Sequence, residues 1–114
     1  MITLEPSSVW NNFYQITQIP RPSKKEEKII AFLEAFSTKH QLDHKTDKAG
    51  NVLICKAATP GYENHKKIIL QAHIDMVCEK NSDVVFNFET DAIKSYIDGD
   101  WIKAQGTTLG GDNG

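Results

Sequence analysis

Residues 68–75 read IILQAHID, and the interpretation of the fold turns on them. The apolar run Ile68-Ile69-Leu70 is bounded by Lys66-Lys67 before it and Gln71 after it. A short apolar run with polar flanks suits a central strand covered on both faces. Continued through Leu70-Gln71-Ala72-His73-Ile74-Asp75, such a strand delivers His73 and Asp75 to one face, because side chains alternate with period two. Ligands of open α/β sheets bind outside the carboxyl ends of strands. The pattern therefore sets an imidazole and a carboxylate where a site is expected.

Upstream, Ser7 or Ser8 is placed to cap a first helix whose apolar residues Val9, Trp10, Phe13 and Ile16 recur at helical spacing. Pro20 and Pro22 end it, since proline disfavours the α conformation in the residue before it. Ser23-Lys24-Lys25-Glu26 has the form of a capping box, Ser23 reaching forward and Glu26 back. The helix it opens carries a stripe at Ile29, Ile30, Leu33 and Phe36, with His40 near its last turn as a structural cap rather than a ligand. Gly50-Asn51 signals a turn before Val52-Leu53-Ile54-Cys55, which reads as a buried strand, and Pro60-Gly61 marks the next turn. His65 reads as a solvated loop residue. Downstream, Asp98-Gly99 between Ile93–Ile97 and Trp101–Ala104 predicts a hairpin with a type I′ turn. Two helices, two buried runs and a hairpin indicate an α/β layer arrangement.

At 114 residues the chain is one domain at most and small for a complete hydrolase. Its composition, 39% hydrophobic and 25% charged, is that of a globular protein and argues against wholesale disorder. A net charge of −2 leaves no basic surplus for phosphates, so nucleic acid is not an expected partner. No stretch has the apolar length of a bilayer span, and Met1-Ile-Thr-Leu-Glu-Pro does not have the form of a signal peptide. Cys55 and Cys78 lack Cys-x-x-Cys spacing and read as reduced, small hydrophobic residues, which makes the cytoplasm the default location.

The last nine residues, GTTLGGDNG at 106–114, set Asp112 in a glycine-rich loop. Glycine lets backbone pass close to a ligand or adopt positive φ, and such a loop suits a helix start whose N–H groups face a site. No Lys-Ser/Thr follows, as a phosphate loop requires. The spacing is not Gly-x-Gly-x-x-Gly, and the regular oxygen ligands of a calcium loop are missing. A divalent metal, which takes neutral imidazole and carboxylate oxygen, and a plain glycine turn both fit these residue types. Asp75 is open to two roles on residue type alone, as a ligand or as the acceptor that orients His73.

The segments LQAHIDMVCEKN (70–81), DGDWIKAQGTTLGGDNG (98–114), PRPSKKEEKIIAFL (20–33) and AGNVLICKAATPGYE (49–63) resemble the aminoacyl-histidine dipeptidases, also called cytosol non-specific dipeptidases or peptidase D. The resemblance runs along nearly the whole chain in the family's order. It implies a two-zinc metallopeptidase of the aminoacylase and carboxypeptidase type, cytoplasmic, acting on Xaa-His and other dipeptides through a metal-activated water. It also implies an α/β/α catalytic domain with a mixed central sheet, and a homodimer for the full-length enzyme. By the same resemblance His73 binds one zinc, Asp112 bridges both, and Asp75 belongs to the catalytic apparatus as the residue that orients His73. Ala72 stands where the family usually has Gly, and Gly111 where it commonly has another small residue.

Family members are several times longer, and the catalytic glutamate, further ligands and dimerisation domain are expected beyond Gly114. The residues point the same way. Zinc catalysis takes about three protein ligands per metal and a base, yet no histidine follows His73, and Glu79, Asp83 and Glu89 read as solvated surface. Residues 1–114 are thus expected to be the N-terminal part of a catalytic domain, inactive alone. Two other classes compete: a non-catalytic binding module or relic, for which loss of His73 or Asp112 is silent, and a non-haem iron oxygenase, which needs a distal second histidine.

Overall fold

The computed structural model describes residues 4–112, arranged as α1 (Ser7–Thr17), α2 (Glu27–Lys39), β1 (Asp43–Thr46), β2 (Val52–Cys55), β3 (Ser95–Asp98) and β4 (Trp101–Ala104). Helices and strands are both present, as expected of an α/β chain. The strands form two separate antiparallel pairs, β1 with β2 and β3 with β4.

Both helices lie where their apolar spacing puts them, but neither is capped as expected. α1 begins at Ser7, whose N–H donates to Glu5 Oε2 at 3.0 Å; no serine side chain caps the helix. α2 begins at Glu27 without a side-chain cap, and the capping box does not form. Glu26 Oε1 instead accepts from the Lys24 N–H at 2.6 Å, and Ser23 turns toward Asp75. His40 does close α2, its N–H donating to the Phe36 carbonyl at 3.0 Å while its ring packs on Phe36 with centroids 4.3 Å apart.

β1 and β2 pair from Asp43↔Cys55 to Thr46↔Val52 and pack against α2. The turn joining them is clipped by Asp47, whose carboxylate accepts from the Ala49 and Asn51 N–H groups and the Asn51 amide. β2 is half covered rather than buried, with alternate residues Leu53 and Cys55 exposed. In the second pair Asp98 stands opposite Trp101, so the turn residues are Gly99 and Asp100, one place beyond the expected pair. Only Gly99 has positive φ, +60°, which is the pattern of type II′ rather than I′.

The largest departure is at residues 68–70. Ile68, Ile69 and Leu70 are 82%, 88% and 92% exposed, and residues 66–75 form no strand. A central strand needs ladder partners on both sides, and neither two-stranded sheet extends its ladder to this segment. A trough of about 870 Å³ is lined by Val52 and Leu53 of β2 and by residues 69–75.

The buried centre is correspondingly thin. Ile29, Met76 and Ile93 are its buried apolar residues, joined by Thr17, Arg21 and Ser37. The radius of gyration is 16.2 Å, against about 13 Å for a compact chain of this length. Ile93 docks on the end of α1, its N–H donating to the Thr17 carbonyl at 3.0 Å, and so lies outside the hairpin strand expected to include it. Among the described residues no helix is long and apolar enough to cross a membrane.

Candidate metal centre

Three chain segments meet at the candidate site: the 20–23 link between the helices, residues 73–76, and the 106–112 loop. The link and the second segment are joined by one parallel bridge, Pro22 with Met76, in which the Met76 N–H donates to the Arg21 carbonyl at 3.0 Å. The loop is pinned to residues 77–81. Asn81 N–H donates to the Gly106 carbonyl, Thr108 N–H to the Glu79 carbonyl, and the Thr108 hydroxyl to the Val77 carbonyl at 2.7 Å.

His73 lies between two carboxylates. Its Nδ1 is 3.1 Å from Asp75 Oδ1 and 3.0 Å from the Asp75 carbonyl, and its Nε2 is 3.4 Å from Asp112 Oδ2. A loop rather than a strand end brings His73 and Asp75 together, so their contact does not come from the strand alternation expected of this segment. The hydrogen bond to Asp75 raises the His73 pKa, with the Asp112 charge adding to it. The Asp75 carboxyl is held below its usual range chiefly by the Ser23 hydroxyl, then by His73. All three site side chains are partly open to solvent, Asp112 most at 72%. Among the described residues no three His, Cys, Asp or Glu side chains converge as a ligand set. Asn113 and Gly114, where a helix start was expected, lie outside the described residues.

Two residues that the sequence reading did not assign to the site support it, Ser23 at the surface and Arg21 in the interior. Ser23 bonds to Asp75 Oδ2. Arg21, 1% exposed, donates from Nη2 to the Gly110 carbonyl at 2.6 Å and from Nη1 to the Asp75 carbonyl at 3.4 Å. Burial lowers the guanidinium pKa, and Asp112 and Asp75 oppose that shift. An arginine between two prolines was the only sequence signal for it, and it names no partner.

The glycines also acquire a different role. At Gly110 φ is +68°, and a Cβ there would stand 2.7 Å from Arg21 Nη2 and 3.1 Å from Met76 Cβ and Sδ. The close approach that requires glycine is thus to an internal side chain. At Gly111 a Cβ would meet only ordinary contacts, the nearest at 3.6 Å. Cys78 is half-buried, which raises its thiol pKa, and Cys55 is exposed; neither faces the pair His73–Asp112 closely enough to act as a third ligand.

No family model matches the chain. It is 47% identical over 111 residues to the cytosol non-specific dipeptidase of Escherichia coli (strain K12), covering 97% of this chain and 23% of that protein. The crystal structure of aminoacylhistidine dipeptidase from Vibrio alginolyticus superposes with a TM-score of 0.93 at 49% identity, covering 96% of this chain and 22% of that one. The chain spans less than a quarter of either relative's length. Over the part of them that it spans, the chain is similar in both sequence and fold to the cytosol non-specific, or aminoacylhistidine, dipeptidases.

Proposed function

We propose that residues 1–114 contribute one wall of a metallodipeptidase centre, with His73 and Asp112 as metal ligands and dipeptides as substrates. The arrangement of His73 carries this reading. Its Nδ1 is engaged by Asp75, which leaves Nε2 directed at Asp112 Oδ2, 3.4 Å away. Ligating histidines characteristically give their other ring nitrogen to a carboxylate or carbonyl. Two ligands about 2.0–2.1 Å from one tetrahedral ion stand about 3.4 Å apart. The spacing of these two donors therefore fits a zinc-sized ion, and the imidazole–carboxylate donor set suits zinc.

When bound, a divalent metal supplies Lewis-acid polarisation of the scissile carbonyl and lowers the pKa of water. This chain's residues do the positioning. Asp75 holds the imidazole's Nδ1 proton so that Nε2 presents its lone pair, and Ser23 holds Asp75 in turn. Asp112, the more exposed carboxylate, would be the residue to hold a second ion as well as the first. Further ligands, a general base and the contacts of a homodimer are assigned to parts of the relatives that this chain does not span.

The reading predicts metal binding without turnover. Added Co²⁺ should give visible d–d absorption that His73→Ala and Asp112→Ala abolish, while purified chain shows no dipeptide hydrolysis. Identical cobalt spectra for all three proteins refute the ligand assignment. Hydrolysis by the chain that disappears in His73→Ala refutes the division of labour. A non-catalytic binding module predicts silent substitutions in both assays.

A further inference from the structure

The His73–Asp75 segment and the Asp112 loop are separated by more than thirty residues of sequence, yet one side chain reaches both. Arg21 donates to the Asp75 carbonyl with one terminal nitrogen and to the Gly110 carbonyl, two residues before Asp112, with the other. It is 1% exposed, and its own carbonyl receives the Met76 N–H. The guanidinium is planar and its donors form a fixed fork, so two carbonyls bound to it hold a set separation. Apart from the His73–Asp112 pair itself, no other hydrogen bond among the described residues links these segments so near the ligands. The other ties on the loop, at residues 106–108, lie toward its beginning.

We propose that Arg21 is the positioning residue that sets the His73–Asp112 spacing, by clamping the backbone beneath each ligand-bearing segment with a single buried guanidinium. This inference rests on the metal-centre reading for its consequence, but the clamp itself exists without metal. Lysine cannot replace it, because an ammonium lacks the fork and presents one compact donor centre. Among the described residues the buried Nε has no hydrogen-bond partner, so the contacts of the guanidinium are those of its two terminal nitrogens. The glycine at 110 belongs to the same device, since any Cβ there would push into Nη2.

The test combines two readouts. In wild-type chain without metal, NMR of the Arg21 guanidinium should resolve separate Nη1 and Nη2 signals, because the clamp stops rotation about the Cζ–Nε bond. Arg21→Lys should lower the heteronuclear ¹H–¹⁵N NOE at Gly110 and Gly111 to mobile-loop values. It should also weaken Zn²⁺ binding about tenfold, with Arg21→Met at least as severe. In a His73→Ala background the zinc effect of Arg21→Lys should vanish while the loop mobility remains. Averaged Nη signals in the wild type overturn the clamp, whether or not the variants fold. Folded Arg21→Lys with unchanged NOE and zinc affinity overturns it as well. A wild-type chain that shows the clamp but binds no zinc separates the two ideas: the metal reading fails and the clamp stands.

Discussion

The Ser23 hydroxyl donates to Asp75 Oδ2 across 52 residues of sequence, and Asp75 in turn holds Nδ1 of His73. The chain Ser23–Asp75–His73 runs from the link between two helices to the imidazole that faces Asp112. It ties the orientation of a proposed ligand to a residue whose local sequence suggested helix capping.

Replacing Ser23 distinguishes those two roles. Loss of a true N-cap costs about 1 kcal/mol of stability, whereas Ser23 makes no cap bond to α2. Ser23→Ala should therefore leave helicity and the thermal midpoint of the chain nearly unchanged while weakening zinc binding about tenfold. Circular dichroism and calorimetric titration on one preparation measure both. A drop in helicity with unaltered zinc affinity restores the capping role.

The two adjacent glycines should behave differently. Gly110→Ala adds a Cβ at φ +68°, 2.7 Å from Arg21 Nη2, and should destabilise the chain by about 1–3 kcal/mol. Gly111→Ala meets contacts no nearer than 3.6 Å and should stay within about 0.5 kcal/mol of wild type. Urea denaturation of the two variants side by side provides the comparison.

Acid should loosen the β1–β2 hairpin through Asp47. Hydrogen bonds from Asn51 and its neighbours hold the Asp47 carboxyl below its ordinary value of 3.8 in the fold. A depressed folded pKa means that its stabilisation is fully present above the unfolded value and is lost as pH falls through the folded one. Stability should thus decline from about pH 5 downward, and Asp47→Ala should flatten that part of the profile. Amide exchange at Ala49 and Asn51, whose N–H groups bond to Asp47 Oδ1, follows the turn directly.

Ile68, Ile69 and Leu70 are more than four-fifths exposed on a segment with no ladder partner. Unpaired apolar backbone of this kind promotes association. Light scattering from the chain should rise with concentration, and the double variant Ile69→Lys, Leu70→Lys should raise the onset. Equal scattering from both proteins removes this segment as the cause.

Local pattern was enough to read the elements that depend on near neighbours. The stripe Ile29, Ile30, Leu33 and Phe36 located α2, and a Gly next to Asp located the β3–β4 turn to within one residue. β1 was missed, because Asp-His-Lys-Thr has no apolar alternation and is held in place by pairing with β2. IILQAHID failed as a strand for the complementary reason: its hydrophobicity is strand-like, but hydrogen-bonding partners, which a single segment does not encode, decide whether a strand forms. The site follows the same division. His73, Asp75 and Asp112 were visible as residue types with metal chemistry, and the structure sets the three together at short range. Ser23 and Arg21 were not, since their partners lie 52 and 89 residues away in Asp75 and Gly110.

The central claim is that His73 and Asp112 jointly bind a metal ion. Calorimetric titration of the chain with Zn²⁺ at neutral pH tests it most directly, with His73→Ala, Asp112→Ala and the double variant measured alongside. The account predicts saturable binding by the wild type, at least about tenfold loss in each single variant, and little further loss in the double. Wild-type heats indistinguishable from those of the double variant would contradict it.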